Sequence, residues 1–520
     1  MQSESLKTLY FLGRPQQCVL PIFQRKYSWT QNDECKRLFE NLKYIGNSEN
    51  RDSWYIGAIV CQNEGGNLAR PVFVLIDGQQ RLTTITILLC AITDYLRKHP
   101  KTHLDEVKNW DSLLKTYVIN SEEDGDKWYR LLLNNEDKED LKELIYKVSV
   151  GEEIPKYRGE SRVFSNFHWF KRNINKNNIT SIYDGLRKLE MILIELDPTD
   201  VAQNIFETLN STGKSLKKID QIRNYLLMGL NQDEANELYY HYWRPMELVF
   251  NSTNLNNKTN HFDYFVRYYL ITKLGQNVNT KDVYDKFRVV SDEFENAKNC
   301  IKEITEFSNY YLRLFASCEE DKSLKKEFKE LNVIGLRMMA PFLIKVYHLY
   351  DTDVISKEEF VQLVDIIKSY YMRISVSNIG KSVISSQLPV ALNKLLDEDN
   401  RIELIIKHFV NLKGEDRFIS DNTTREMVHT RNFEIYKKNH FVLSKSVNFG
   451  RQVPLDTSEL EVVKIFENVD SKHSYKIGNF TLEGIDLCMD IEAETPEDFI
   501  DKRSDKLIDI IVKVWEYPSL

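Results

Sequence analysis

Val74-Leu75-Ile76-Asp77-Gly78-Gln79-Gln80-Arg81-Leu82-Thr83-Thr84 runs from an apolar stretch through one glycine into polar residues. It then continues into Ile85–Ile92, which is apolar on nearly every face. The pattern predicts a strand, a tight turn and a buried helix over Gln79–Leu96. The first N–H groups of such a helix have no partner inside it, and its dipole favours an anion there. Gly78 allows close backbone approach. Arg81 carries a planar fork suited to phosphate oxygens. Gln79 and Gln80 can donate to phosphate or hold a water, and Asp77 can bind a metal ion. The same residues also suit a plain strand–helix turn, with Asp77 capping the helix and Arg81 on the surface.

Working outward, Cys18–Phe23 and Trp54–Cys61 are further strand-like runs, and Gly65-Gly66 marks a hairpin loop before Val72–Ile76. Thr30–Tyr44 has helical spacing. Residues 1–100 are therefore expected to form a small α+β unit. Residues 101–415 read as mostly helical, with a loop at 251–260. Residues 416–520 are expected to form a small α+β C-terminal domain. Its short strands are Glu461–Glu467 and Tyr475–Leu482, and its closing helix is Pro496–Val514. The fold class is α+β, mostly helical.

Two more polar stretches interrupt apolar surroundings. In Leu20-Pro21-Ile22-Phe23-Gln24-Arg25-Lys26-Tyr27-Ser28-Trp29, a Gln-Arg pair ends a strand. Gln24 and Arg25 can face the same cleft as Arg81, or Tyr27 and Trp29 can be core with Arg25 solvated. In Phe206–Leu216, Gly213-Lys214-Ser215 imitates the end of a phosphate-binding loop. The position five before that Gly-Lys pair is Thr208 rather than glycine, so the Walker reading is rejected. A polar turn remains, in which Asn210, Thr212 and Lys214 reach a neighbouring site. The following helix, Leu216–Leu227, carries Asp220 and Arg223 on its flanks. The three stretches are expected to converge, with Gln24, Arg81 and Asn210 around one cavity and residues 201–230 completing the N-terminal site.

Composition narrows the function classes. The chain has 520 residues, 42% hydrophobic and 28% charged, an ordinary globular balance. Its formal net charge of −8 excludes a uniformly basic nucleic-acid binder but not a local basic groove. The 7 cysteines are scattered with no CxxC pair, so zinc ribbons and disulfide frameworks are not expected. No apolar stretch approaches the roughly 20 residues of a membrane span. The expectation is a soluble, cytoplasmic protein with free thiols and no membrane partner.

Pro21…Gln24-Arg25…Tyr27-Ser28-Trp29, then Tyr55-Ile56-Gly57, then Asp77–Thr84, then Phe206…Leu209-Asn210-Ser211-Thr212-Gly213-Lys214…Leu216…Asp220…Arg223-Asn224-Tyr225 occur in that order. Together they resemble the N-terminal domain of GmrSD-type modification-dependent restriction proteins. The resemblance implies a ParB/sulfiredoxin-like fold with Asp-Gly-Gln-Gln-Arg as its phosphate-binding motif. It implies binding and hydrolysis of a nucleoside triphosphate with Mg²⁺, GTP, ATP and CTP not being distinguished. Asp77, Gln80 and Arg81 would be catalytic, Asp77 also holding the metal. Gln24, Arg25, Gly78, Gln79, Thr83, Asn210, Thr212 and Lys214 would contact the nucleotide. The implied role is that of an NTP-hydrolysing sensor or switch in a prokaryotic anti-phage or restriction-type defence system. A partner effector protein, and phage or modified DNA, would be its other contacts. Two alternatives stand: an active DNA endonuclease of the modification-dependent type, and a non-enzymatic DNA-binding adaptor.

The family's C-terminal domain often carries an HNH-type nuclease. This chain keeps Ile477-Gly478-Asn479-Phe480-Thr481-Leu482 and Phe499…Lys502 of that pattern. The place of the expected histidine reads Val463-Lys464-Ile465-Phe466-Glu467, and Glu483–Glu494 contains no Asn. An HNH site needs a histidine base and a metal-holding His or Asn. The expectation is a degenerate HNH-like domain.

Overall fold

The computed structural model describes residues 1–50, 53–67, 70–156, 161–197, 200, 202–203, 205, 217–252, 261–378, 386–485 and 491–519. The fold is α+β and mostly helical. The chain divides into two compact units, Met1–His241 and Tyr242–Leu520.

The first unit is built on a six-stranded mixed sheet of β1 (Gln2–Lys7), β2 (Gln17–Val19), β3 (Trp54–Asn67), β4 (Arg70–Asp77), β5 (Leu131–Leu132) and β6 (Leu189–Leu196). The strand order is β1-β6-β3-β4-β2-β5. Pairs β1/β6 and β3/β4 are antiparallel, whereas β3/β6, β2/β4 and β2/β5 are parallel. Its helices are α1 (Thr8–Gly13), α2 (Glu34–Gly46), α3 (Gln79–Lys98), α4 (Trp110–Tyr117), α5 (Asn135–Val150), α6 (Arg162–Asn173) and α7 (Ile179–Lys188), followed by α8 (Lys218–Leu227) and α9 (Gln232–Leu238).

The period of two along β4 feeds both faces of the sheet. Phe73 and Leu75 join Ile59, Cys61 and Leu193 in the large core around α3. Ile76 joins Val60 and Leu196 on the other face, against Val74, Ile194, Ala202, Ile205 and Met228. α3 is apolar all round because it packs against α4, α5 and α6 as well as the sheet side. Strand β6 falls within the stretch that reads as helical from sequence. It lies between β1 and β3, so Leu189-Glu190-Met191-Ile192-Leu193-Ile194-Glu195-Leu196 is apolar toward both faces and carries no strict period. Through β6 the first unit extends well past residue 100. Helices α2 and α7 cross in direct backbone contact. A Cβ on Gly185 would lie 2.2 Å from the Leu42 carbonyl oxygen, and one on Gly46 would lie 1.8 Å from that of Ser181.

Among the described residues, the regular structure of the second unit is helical apart from one antiparallel pair, β7 (Val462–Lys464) with β8 (Phe480–Leu482). The helix Pro496–Val514 follows, with the bounds expected from sequence. The polar stretch 415–455 holds two helices, Asp421–Thr430 and Asn439–Asn448. Arg373, fully buried on the helix Lys357–Ser377, donates to the carbonyls of Trp515, Ile419 and Val512 at 2.5, 3.0 and 3.2 Å and pairs with Asp421 at 2.7 Å. Those bonds tie residues beyond 415 into the same compact unit.

The glycine crossing is testable. Gly185→Ala places a methyl group against backbone that cannot yield, and overpacking of this kind costs about 1–3 kcal/mol. The unfolding free energy of the first unit is expected to fall by that amount, read as a lower urea midpoint at unchanged slope. An unchanged midpoint would refute the close crossing.

Candidate functional site

The sequence places a turn at the carboxyl end of β4, and the structure shows how it is held. Gly78 is the residue before α3 and has φ +92°, a left-handed conformation that admits glycine freely. A Cβ there would meet Ile59 Cδ1 at 2.2 Å. No side chain caps this end of the helix. Asp77 therefore does not act as the cap. Its Oδ2 accepts from Arg81 Nη2 at 3.2 Å instead.

Arg81 is not a surface residue. Its Nη1 donates to the Ala58 carbonyl at 2.7 Å, where β3 bulges against β6. Gly57, within that bulge, has φ +118°, and a Cβ on it would lie 2.1 Å from Arg81 Nη1. The Tyr55-Ile56-Gly57 motif thus exists to seat the Arg81 guanidinium. Two of its five N–H donors are used in this way, and the rest of the fork is open.

The loop Pro21–Trp29 runs beside the turn with its backbone polar groups satisfied by side chains. Gln24 Nε2 donates to the carbonyls of Leu75 and Ile76 at 2.6 and 3.0 Å. Gln79 Nε2 donates to the Arg25 carbonyl at 3.4 Å. Gln80 Oε1 accepts from the Ser28 N–H at 2.8 Å, while its Nε2 donates to the Lys26 carbonyl at 3.3 Å. Thr83 is buried and donates to the Gln79 carbonyl at 2.8 Å. Arg25 is half-buried, and its guanidinium has no partner among the described residues. Asn210, Thr212 and Lys214 lie outside the described residues, as does the expected meeting of Asn210 with Gln24 and Arg81.

Helix α8 nevertheless reaches this loop. Arg223 Nε donates to the Phe23 carbonyl at 2.7 Å, with Nη2 on Asp220 at 2.9 Å. Sequence reasoning missed three further clamps. Asn134 Nδ2 donates to the carbonyls of Pro21 and Gln24 at 2.6 and 3.0 Å. Asp137 accepts from the Tyr27 N–H at 2.7 Å. Asn166 donates to the Tyr27 hydroxyl and the Trp29 carbonyl at 2.9 and 3.0 Å. The one available signal was a polar residue on the apolar face of an amphipathic helix, as Asn166 is among Val163, Phe164, Phe167 and Phe170 of α6.

The carboxamide oxygens of Gln24 and Gln79 are buried and unpartnered. A buried acceptor left without a donor costs about 1–3 kcal/mol, which a water or a ligand N–H would recover. The four cysteines of this unit are free and buried. Burial pushes the Cys35 and Cys61 thiols up to about 12 and raises those of Cys18 and Cys90 as well. His99 and His103 lie four apart but follow the end of α3. No trio of His, Cys, Asp or Glu able to hold a metal occurs among the described residues.

Residues 7–227 match the family described as GmrSD restriction endonuclease, N-terminal domain. This segment is a GmrSD-type N-terminal domain. The match runs from the last residue of β1 to the end of α8, so it takes in the sheet, the Asp77–Arg81 turn and the Arg223 clamp. It places the GmrSD-type domain in a restriction-type defence family. No curated protein matches the chain.

Gly57→Ala in the GmrSD-type domain tests the seat of Arg81. Left-handed strain alone costs about 1–3 kcal/mol, and the clash with the guanidinium adds to it. In an Arg81→Ala background the clash disappears, so the same substitution is expected to cost less. Denaturation midpoints of the four proteins measure this, and strictly additive costs would refute the contact.

Proposed function

We propose that the GmrSD-type domain binds and hydrolyses a nucleoside triphosphate at the Asp77–Arg81 turn. In that role it is the sensor or switch of a restriction-type defence system, acting on a partner effector. The observation that carries the reading is the seated, half-open Arg81 fork at the uncapped start of a 20-residue helix. The helix dipole and its free N–H groups favour an anion. A phosphoryl-transfer transition state spreads negative charge over equatorial oxygens, and a pre-positioned cationic fork stabilises that charge without reorganisation. Arg25 supplies a second cation, unpaired among the described residues, two residues from the Phe23 carbonyl that α8 grips.

Asp77 offers a single carboxylate, and Mg²⁺ is usually held by one or two carboxylates plus substrate phosphates. This donor set fits a Mg²⁺ that arrives with the nucleotide, Asp77 being its protein ligand. Bound there, the ion would neutralise charge on the phosphates. Gln79 and Gln80 contribute by fixing the loop that carries Arg25. Nucleotide state would then bias the loop and, through Arg223, helix α8, as phosphate-dependent switches do.

Phosphate release from each of the four ribonucleoside triphosphates tests the reading. Arg81→Ala is expected to lower turnover by about 10²–10³. Arg81→Lys is expected to be impaired too, because an ammonium cannot reproduce the fork. Loss of two hydrogen bonds will also cost about 1–3 kcal/mol, so melting curves must show that both variants remain folded. Equal turnover in wild type and Arg81→Ala would reject the site and leave the adaptor reading ahead.

We further propose that the C-terminal segment supplies no HNH chemistry. The hairpin β7–β8 and the helix Pro496–Val514 follow one another in a strand–strand–helix order. At the position of the missing histidine, Val463 pairs with Thr481 across the hairpin. Asn479 closes on its own loop, accepting from the Phe466 N–H at 2.9 Å and donating to the Ser474 carbonyl at 3.2 Å. His473 is held on both ring nitrogens, by Asp470 at 2.8 Å and Asp501 at 3.2 Å. The full chain is expected not to cut plasmid DNA with any divalent metal. Cleavage that disappears in His473→Ala would overturn this and favour the endonuclease reading.

A further inference from the structure

The sheet face opposite α3 carries a cleft of about 780 Å³ that none of the residues Asp77–Arg81 lines. Its floor is Val72, Val74 and Ile76 of β4, and its far wall includes Met228. The volume lies within the range of small-molecule sites. Its polar groups have an unusual balance. Gln62 and Glu64, two apart on β3 and so on one face, have side chains with no partner among the described residues. Gln232 and Asn236 across the cleft are likewise unengaged. The cation on the lining, Lys138, is taken by Asp126 at 2.7 Å. The second acid on the lining, Asp200, is taken by the Met1 amine at 3.0 Å. One open acid and several carboxamides over an apolar floor, with no open cation among the described lining residues, suit a flat ring with N–H donors and ring acceptors, and reject a phosphate.

The cleft also abuts the turn. Leu20, Pro21, Ile22 and Phe23 form one of its walls as they leave the carboxyl end of β2, and the next residues are Gln24 and Arg25. Ile76 on its floor immediately precedes Asp77. Consecutive residues span at most about 3.6 Å each, so the two sites lie within the length of one nucleotide. We propose that this cleft holds the nucleobase of the nucleotide, with Glu64 and Gln62 reading its hydrogen-bonding edge while the phosphate chain crosses the end of β4 toward Arg25 and Arg81. The inference rests on the nucleotide reading of the turn. It assigns the specificity of the site to residues outside the Asp77–Arg81 motif. Carboxamides and carboxylates read base edges through paired donors and acceptors, and an apolar floor takes the ring face.

The test is equilibrium binding of the four ribonucleoside triphosphates, of inorganic tripolyphosphate and of a short single-stranded oligonucleotide. The proteins are wild type, Glu64→Gln, Gln62→Leu and Arg81→Ala, with melting curves as folding controls. Loss of a charged hydrogen bond is expected to weaken the preferred nucleotide about tenfold or more in Glu64→Gln, with tripolyphosphate binding unchanged. Gln62→Leu, which keeps the charge, should shift the order of preference among the four. Arg81→Ala should weaken nucleotide and tripolyphosphate alike. If nucleotides and tripolyphosphate bind through Arg81 but neither cleft variant changes nucleotide affinity or preference, the cleft proposal is overturned and the phosphate site stands. If only oligonucleotide binding depends on Glu64, the cleft reads nucleic acid and the proposal also fails. If neither nucleotide nor tripolyphosphate binds wild type, the reading of the turn falls and the cleft proposal falls with it.

Discussion

The candidate site depends on one constraint: a loop that leaves the sheet at β2 runs half-buried beside the turn without a strand partner. Buried backbone carbonyls and N–H groups must be paired. Between Pro21 and Trp29 they are paired by Gln79, Gln80, Asn134, Asp137, Asn166 and Arg223, while Gln24 reaches out from the loop to the Leu75 and Ile76 carbonyls of β4. These side chains come from the loop itself and from α3, α5, α6 and α8 or the residue just before them. The loop therefore organises the starts of several helices at once. A change in any clamp exposes an unsatisfied partner rather than merely losing a bond, which makes the network costly to break.

That constraint also explains which parts of the site the sequence disclosed. The strand–turn–helix at Val74–Thr84 was legible because an apolar run, a glycine and a second apolar run have distinct periods. The roles of the two glutamines were not. A glutamine reads as a phosphate donor or as a backbone clamp with equal ease, and only the position of the loop decides. Gly57 was visible as part of a motif, yet its reason lies in a guanidinium 24 residues further along, which no local pattern encodes. Strand β6 escaped for a related reason, since a strand covered on both faces loses the alternation that identifies an exposed one. Asn134 and Asp137 escaped because polar residues at a helix start are expected as caps. Here Asn134 turns away from its helix to serve the loop.

The electrostatics separate into two zones despite a formal net charge of −8. On the turn side, Asp77 pairs with Arg81 through one nitrogen only, and Arg25, unpaired among the described residues, leaves a net positive charge. On the cleft side the cation is taken by Asp126, and the acid Glu64 is left open. Two opposite preferences are thus held a few residues apart at the carboxyl end of β4. Ligand sites in sheets of this kind gather at such strand ends, because the strands stop there and loops must cover them.

The way Arg81 is anchored bears directly on what the turn can bind. A half-buried guanidinium needs acceptors, and two carboxylates would have satisfied it most strongly. They would also have given the group a net negative charge that repels any anion. The structure uses one carboxylate and one neutral carbonyl, that of Ala58. The carbonyl fixes the orientation of the fork and leaves the charge in place. Exposing that carbonyl requires a bulge in β3, and the bulge requires a residue without a side chain at Gly57. A glycine inside a sheet costs conformational entropy, which a purely structural arginine would not require. The cost is understandable if the position must keep both its geometry and its positive charge, and an anion at the start of α3 is the ligand that uses both.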